Sequence, residues 1–588
     1  MKKSKLKPKL FSVMKTYTRE QFVKDVIAGI IVAIIALPLS IALALASGVT
    51  PEKGIYTAII AGFIISFLGG SRVQIAGPTA AFATIVAGIV ARNGMEGLVA
   101  ATLIAGILLI LMGVFRLGNL IKFIPYTITT GFTAGIAVTI VIGQLKDFFG
   151  LTYANKEPLI ETIDKAKAFY IWFSTVNKDA LIVGVVSLFV LIFWPWINKI
   201  HFSENNKKNG LLRGIQHILN FLGKIPGSLI AVLAGILLVK GLGLHSNTIG
   251  DLYQISNKLP VFAMPKLSFG IFKNVFTDGF TIAMLAAIES LLSCVVADSM
   301  VNSKHSPNME LIAQGTGNIA SVLFGGIPAT GAIARTAANA KNGGRTPIAG
   351  MVHSVTLLLI LVVLMPYAAL IPMPTIAAIL FIVAYNMSGW REVAHLVKTA
   401  PKSDAIVLVT TFFLTVVFDL VIAIEVGIVL AAVLFMKRMS EVTEVRGWKY
   451  IDADGNIIDG IEGISEEENE ENDSESISLR VVPKNTLVYE ISGPMFFAAA
   501  DKILGITLSE KTNCLILRMR SVNAIDATAM HSLEQLYKDC TKKKIHLILS
   551  HINEQPLSIM IKAGFIDKIG EENLCSHIDD ALKRAESF

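Results

Sequence analysis

Glu289 is a single acid inside an otherwise apolar run from Phe280 to Val296. A carboxylate in mid-span costs at least ~2.5 kcal/mol on insertion scales, so it faces a cavity or a partner and marks an ion or substrate path. Ser293 follows four residues later, on the same helical face. The carboxylate can take up and release a proton, since burial and neighbours set its proton affinity. With the Ser293 hydroxyl and backbone carbonyls it can instead hold a sodium ion. A structural use, as a cap or as the partner of Arg335, is the third option. Arg335 closes the stretch Gly325-Gly326-Ile327-Pro328-Ala329-Thr330-Gly331-Ala332-Ile333-Ala334-Arg335-Thr336. Glycine and proline stop a helix before it, and its small residues predict a short helix starting near Thr330. Within a membrane such a half-helix is tolerated only where it lines a cavity. Its N-terminus offers free N–H groups and the positive end of the dipole, which suits an anion.

A second broken stretch answers it: Phe67-Leu68-Gly69-Gly70, then Gln74-Ile75-Ala76-Gly77-Pro78-Thr79-Ala80-Ala81-Phe82. Interrupted apolar segments at corresponding places of two halves point to a transporter binding site.

Such sites need a membrane scaffold, and the composition supplies one. The 588 residues are 53% hydrophobic and 16% charged, against ~25% charge in soluble proteins. Apolar stretches at 26–46, 52–69, 78–91, 95–114, 125–143, 180–198, 226–243, 277–298, 309–324, 330–341, 347–366, 368–387, 404–418 and 420–437 predict fourteen spans, two of them short. The first follows a lysine-rich start and precedes many others, so it is a span and not a cleaved signal. Alternate loops carry Arg72, Arg116 with Lys122, Lys199 to Lys224, Lys304, Lys341 with Arg345, Arg391 with Lys398 and Lys402, and Lys437 with Arg438. Short loops on the other side, such as 325–329 and 366–374, carry no Lys or Arg. This positive-inside pattern puts both termini in the cytoplasm. Fourteen spans divide into seven and seven, and an odd repeat inverts in the membrane. Connectors at 144–178 and 199–225 are expected on the surface, with Trp172, Trp194 and Trp196 at belt height.

The net charge of +7 comes from residues scattered at span ends, which suits anionic lipid and gives no nucleic-acid signal. The four cysteines show no CxxC spacing, so neither a disulfide frame nor a zinc site is expected. Residues 459–475 are almost wholly acidic and polar and read as a flexible linker within 439–475. From Ser476 strands at 487–491, 514–519 and 545–550 alternate with helices at 498–504, 526–540 and from 558, a small α/β domain over 476–588. No phosphate loop or catalytic constellation appears in it, so no enzyme activity and no cofactor beyond a coupling H+ or Na+ is expected. Asp526-Ala527-Thr528 stands at a strand–helix turn and reads as a helix N-cap.

Ala36-Leu37-Pro38-Leu39-Ser40, Gly48-Val49-Thr50-Pro51-Glu52-Lys53-Gly54-Ile55-Tyr56, Gly69 to Thr79, Glu289-Ser290-Leu291-Leu292 with Ala297-Asp298, and Gly343-Gly344-Arg345-Thr346 resemble the sulfate permease (SulP) family of anion transporters. Ser492-Gly493-Pro494-Met495-Phe496-Phe497 and Asp526-Ala527-Thr528-Ala529 resemble its C-terminal STAS domain. The resemblance covers nearly the whole chain. It implies a polytopic α-helical fold of 14 spans in a 7+7 inverted repeat, with core and gate domains over 26–438, a cytoplasmic segment 1–25 before it and a cytoplasmic STAS domain after it. The anion pocket it implies is lined by Leu39, Ser40 and Leu43, by Gly77, Pro78 and Thr79, and by Thr330, Gly331, Ala332, Ile333, Ala334 and Arg335. Ala334 replaces a serine found in vertebrate members, and Leu39 a glutamine found in some. Glu289 matches the acid of proton-coupled members; sodium-coupled bicarbonate members tend to carry Asp there with a hydroxyl one turn later. Thr528 stands where bacterial STAS proteins carry a phosphorylatable residue. The resemblance further implies a homodimer in the plasma membrane. Sulfate is favoured as substrate; bicarbonate or a C4-dicarboxylate, and an uncoupled anion channel, are the alternatives.

Overall fold

The computed structural model describes residues 6–119, 125–154, 159, 161–197, 226–265, 269–418, 420–447, 480–506, 508 and 511–588. The expected connector 199–225, the acidic stretch 459–475 and Lys122 lie outside them. The chain divides into two compact units, 1–428 and 429–588.

Helices fall on every apolar stretch that the sequence marks as a span. They are α1 (Arg19–Ala46), α2 (Pro51–Leu68), α3 (Ala80–Val114), α4 (Tyr126–Phe149), α5 (Thr162–Ile171), α6 (Lys178–Ile197), α7 (Gly227–Gly241), α8 (Phe276–Val301), α9 (Pro307–Leu323), α10 (Ile333–Lys341), α11 (Ile348–Ala368), α12 (Met373–Ser388), α13 (Trp390–Thr399), α14 (Lys402–Val417) and α15 (Leu420–Val442). Eight helices among the described residues have the length and apolarity to cross a membrane. The expected third and fourth stretches are merged in α3, and Gly94 (φ 66°) breaks it where they were divided. Only glycine adopts such a backbone at little cost.

The packing repeats between halves. Helix α1 packs on α11 as α8 packs on α3; α2 on α11 as α9 on α3; α4 on α14 as α12 on α6; and α10 on α1 as α3 on α8. Two groups result: α1, α2, α3, α8, α9, α10 and α11, and beside them α4, α6, α7, α12 and α14. The first is held at close range by small residues. A Cβ on Gly106 would meet the Gly315 carbonyl at 2.9 Å, and one on Gly315 the Gly106 carbonyl at 2.4 Å. With no hydrophobic drive between helices in lipid, such close backbone approach is a main source of their association.

In the second unit β3 (Glu444–Gly447) pairs antiparallel with β4 (Thr486–Ser492), and β5 (Cys514–Ser521), β6 (His546–Ser550) and β7 (Leu574–Cys575) continue in parallel. Strand β3 lies in the range expected to be linker. Four residues, with exposed Glu444 and Arg446, carry too little apolar pattern to announce a strand. The helix expected at 498–504 is shorter, Asp501–Leu504, and the one expected from 558 begins at Glu554. Arg518 on β5 is fully buried and donates to Glu490 on β4 at 3.1 Å, while Arg520 donates to the other oxygen at 2.9 Å. Breaking a buried pair costs about 3–5 kcal/mol. Glu490→Gln is therefore expected to destabilise this unit by about 3 kcal/mol, the lower end of that range, since the amide still accepts. Urea unfolding followed by tail-domain fluorescence checks it, and an unchanged midpoint refutes it.

Candidate functional site

The two broken stretches meet. Strand β1 (Ala76–Gly77) pairs antiparallel with β2 (Thr330–Gly331), Ala76 opposite Gly331 and Gly77 opposite Thr330. Helix α3 starts after Thr79 and α10 after Ala332, and no side chain caps either start. The α10 helix thus begins three residues later than expected, because Thr330 and Gly331 are spent on the pairing.

Side chains from α8 brace this crossing. Ser290 Oγ and Thr330 Oγ1 are 2.7 Å apart, and Gly331 N donates to Ser290 Oγ at 3.1 Å. Ser293 donates to Thr336 Oγ1 at 3.3 Å, and that oxygen accepts from Ile75 N at 3.0 Å. Thr330, Ser290, Ser293 and Thr336 are all buried. Glu289 is half-buried, and its Oε2 accepts from Thr79 Oγ1 at 3.0 Å. Glu289 and Ser293 therefore share a helix but serve different partners: Glu289 the start of α3, Ser293 the first turn of α10.

Arg335 is buried, and its Nη2 donates to the Pro78 carbonyl at 3.1 Å and to Ser40 Oγ of α1 at 3.4 Å. Its Nη1, also buried, has no hydrogen-bond partner among the described residues. No ion pair joins it to Glu289 among them. The guanidinium thus bridges both half-helices and α1 and keeps one amino group unspent. A buried donor left unpaired costs about 1–3 kcal/mol, which an acceptor recovers on binding. Ile333 and Ala334 are exposed on the open side of the α10 start, Ala332 is buried, and from α1 Leu39 is half-buried and Leu43 buried. Leu39, Ser40 and Leu43 follow Pro38, which lies inside the continuous helix α1 and removes a backbone donor there.

A Cβ on Gly77 would lie 2.4 Å from Arg335 Nη1. The clash is with the tip of a flexible side chain, so Gly77→Ala is expected to displace the guanidinium without unfolding the protein. Labelled-anion uptake should weaken severalfold at an unchanged Tm; unaltered uptake refutes the role of this glycine.

Four contributors were not anticipated. Ser290 stands only within the Glu289–Leu292 motif and Thr336 only at the end of the broken stretch Gly325 to Thr336, neither with a role of its own. Gln74, whose Oε1 faces Cys294 Sγ, lies in a loop. Asp25 is buried and accepts from Tyr17, Gln21, Arg345 and Thr346, fastening the Gly343–Thr346 turn to α1. A lone acid opening an apolar run was the available signal for Asp25. In the tail, Asp526 caps its helix (Ala527–Lys542) by accepting from Ala529 N at 2.9 Å, and Thr528 is exposed in the first turn. Among the described residues no cluster of His, Cys, Asp and Glu is arranged to hold a metal.

Known proteins share this architecture. Residues 22–411 match the sulfate permease family and 477–581 the STAS domain. YvdB of Bacillus subtilis is 36% identical over 96% of this chain and 98% of its own length. BicA of Picosynechococcus is 28% identical over 95% and 94%. The murine Slc26a9 structure in its inward-facing state superposes with a TM-score of 0.83 at 16% identity, covering 100% of this chain and 96% of that one. The transmembrane domain of a cyanobacterial BicA superposes at 0.57 and covers 71% and 98%. The chain is a multi-pass membrane protein of the sulfate permease family, with a C-terminal STAS domain.

Proposed function

We propose that the protein is a secondary active transporter of a small anion, with sulfate favoured, coupled to protons through Glu289. One observation carries it: the buried Arg335 Nη1, without a hydrogen-bond partner among the described residues, at the meeting of two half-helix starts that no side chain caps. Two positive dipole ends and a guanidinium make one anion-binding locus. Leu39, Ser40, Leu43, Gly77, Pro78, Thr79 and Thr330 to Arg335 form it, and alternating access moves it between the two sides. YvdB is named as a candidate sulfate transporter, which supports sulfate. The remaining parts of the proposal are fourteen crossings in the plasma membrane, cytoplasmic termini, a homodimer, and a division into 1–25, 26–438, 439–475 and 476–588. Regulation by phosphate at Thr528 is a minor part, since Asp526 beside it would repel the added charge.

The second reading, sodium-coupled bicarbonate symport, is favoured by BicA, which is named as a bicarbonate transporter. Proteoliposome uptake of labelled sulfate, bicarbonate and fumarate under imposed proton or sodium gradients separates them. Concentration of sulfate by an inward proton gradient is expected. Concentration of bicarbonate by sodium alone replaces the first reading with the second, fumarate uptake replaces the substrate, and flux that neither gradient drives uphill identifies an uncoupled channel.

A further inference from the structure

Helix α13 has no buried residue. It joins α12 to α14 and packs on α4 and α14, so it lies between the ends of two helices that the sequence reads as crossings. Around its 3.6-residue turn the side chains fall on distinct faces. Val393 and Leu396 are half-buried and mark the side turned to protein. Trp390, Ala394 and Val397 are exposed, apolar and adjacent to one another on the next face. Arg391 and Lys398 border that apolar face on its far side, followed by His395; Thr399 and the acid Glu392 stand furthest round. Lys402, exposed at the start of α14, adds a fourth basic group.

An exposed apolar face beside membrane helices is covered by lipid, and the charged border next to it stands at headgroup depth. The indole is anchored for this. Trp390 Nε1 donates to Tyr385 Oη at 3.3 Å, and the Arg391 guanidinium stands 5.3 Å from the ring centre. The cations also lie nearest the apolar face while the acid is held away from it, which complements a layer of phosphates. We propose that α13 is a binding site for an anionic phospholipid. Trp390, Ala394 and Val397 enter the acyl boundary, and Arg391, Lys398 and Lys402 hold the headgroup phosphate. The surface helix in the corresponding place of the first half, α5, offers no such border: Glu161 and Asp164 accompany Lys165 and Lys167, and Lys167 pairs with Asp164 at 3.4 Å. The preference for anionic lipid therefore belongs to one side of the membrane. Because α13 rests on α4 and α14, the lipid fastens the second helix group.

The test uses the full chain in detergent, offered equal phosphatidylglycerol and phosphatidylcholine, with retained lipid counted by native mass spectrometry. Wild type is expected to retain phosphatidylglycerol preferentially. Arg391→Gln, Lys398→Gln and Lys402→Gln combined should cut that retention by about fivefold per charge removed. Lys165→Gln with Lys167→Gln should leave it unchanged. Val397→Glu, at an unchanged Tm, should lower retention of both lipids. A triple variant that keeps the preference, or a wild type that holds both lipids equally, overturns the site.

Discussion

Arg335→Ala is expected to raise the half-saturating concentration for anion uptake by about tenfold or more. A hydrogen bond to a charged group contributes about 1.5–3 kcal/mol, and each 1.4 kcal/mol is a factor of ten. Arg335 Nη2 is committed to Pro78 and Ser40, and Nη1, which has no hydrogen-bond partner among the described residues, is the amino group that the proposed ligand would take. Removing the side chain removes both the contact and the strut between α1 and the two half-helices, so Vmax should fall as well. Arg335→Lys separates the two effects. It keeps the charge but not the planar fork, and should recover part of the affinity while leaving the strut broken. Uptake kinetics in proteoliposomes, with Tm as the control for folding, measure both. An Arg335→Ala protein with unaltered affinity would show that the guanidinium only joins helices.

The meeting of the half-helices was legible because it rests on residues with few uses. Gly-Gly pairs, Pro78 and Pro328 break helices inside apolar sequence, and such breaks are rare in lipid unless they line a cavity. The seven-and-seven division was read from fourteen apolar stretches, and the packing of α1 on α11 is repeated by that of α8 on α3. What remained hidden was decided by partners distant in sequence. Ser293 was grouped with Glu289 by helical spacing, yet it turns to Thr336. Helical periodicity fixes which residues share a face, but the tertiary neighbour decides which hydrogen bond each makes. Thr330 was expected to begin a helix; its pairing with Gly77 took it into a strand instead. Two-residue strands leave no periodic trace. Asp25 carried no motif, because its partners beyond its own helix start lie on the Arg345–Thr346 turn some 320 residues away.

Glu289→Gln is expected to abolish proton-driven accumulation while sparing substrate binding. Glu289 Oε2 is one hydrogen bond from Thr79, the residue that opens the first half-helix. An anion at that helix start already carries a desolvation cost, and an ionised carboxylate next to it adds repulsion. Protonating Glu289 removes the repulsion, so proton and anion bind with positive coupling, typically about 1–3 kcal/mol for linked sites. The sign follows: wild type should bind its anion more tightly as pH falls, by roughly 5- to 150-fold across the titration. Gln reproduces the neutral acid at nearly the same volume and still accepts from Thr79, so the half-helix start keeps its geometry. The variant should exchange labelled for unlabelled substrate with an affinity that no longer varies with pH, and an inward proton gradient should no longer concentrate substrate. If the variant still accumulates substrate on that gradient, the coupling group is elsewhere. If wild type accumulates only on an inward sodium gradient, Glu289 is an oxygen ligand and not a proton carrier. Sodium affinity should then fall in Glu289→Gln, and fall in Ser293→Ala only if Ser293 releases Thr336 to reach the ion.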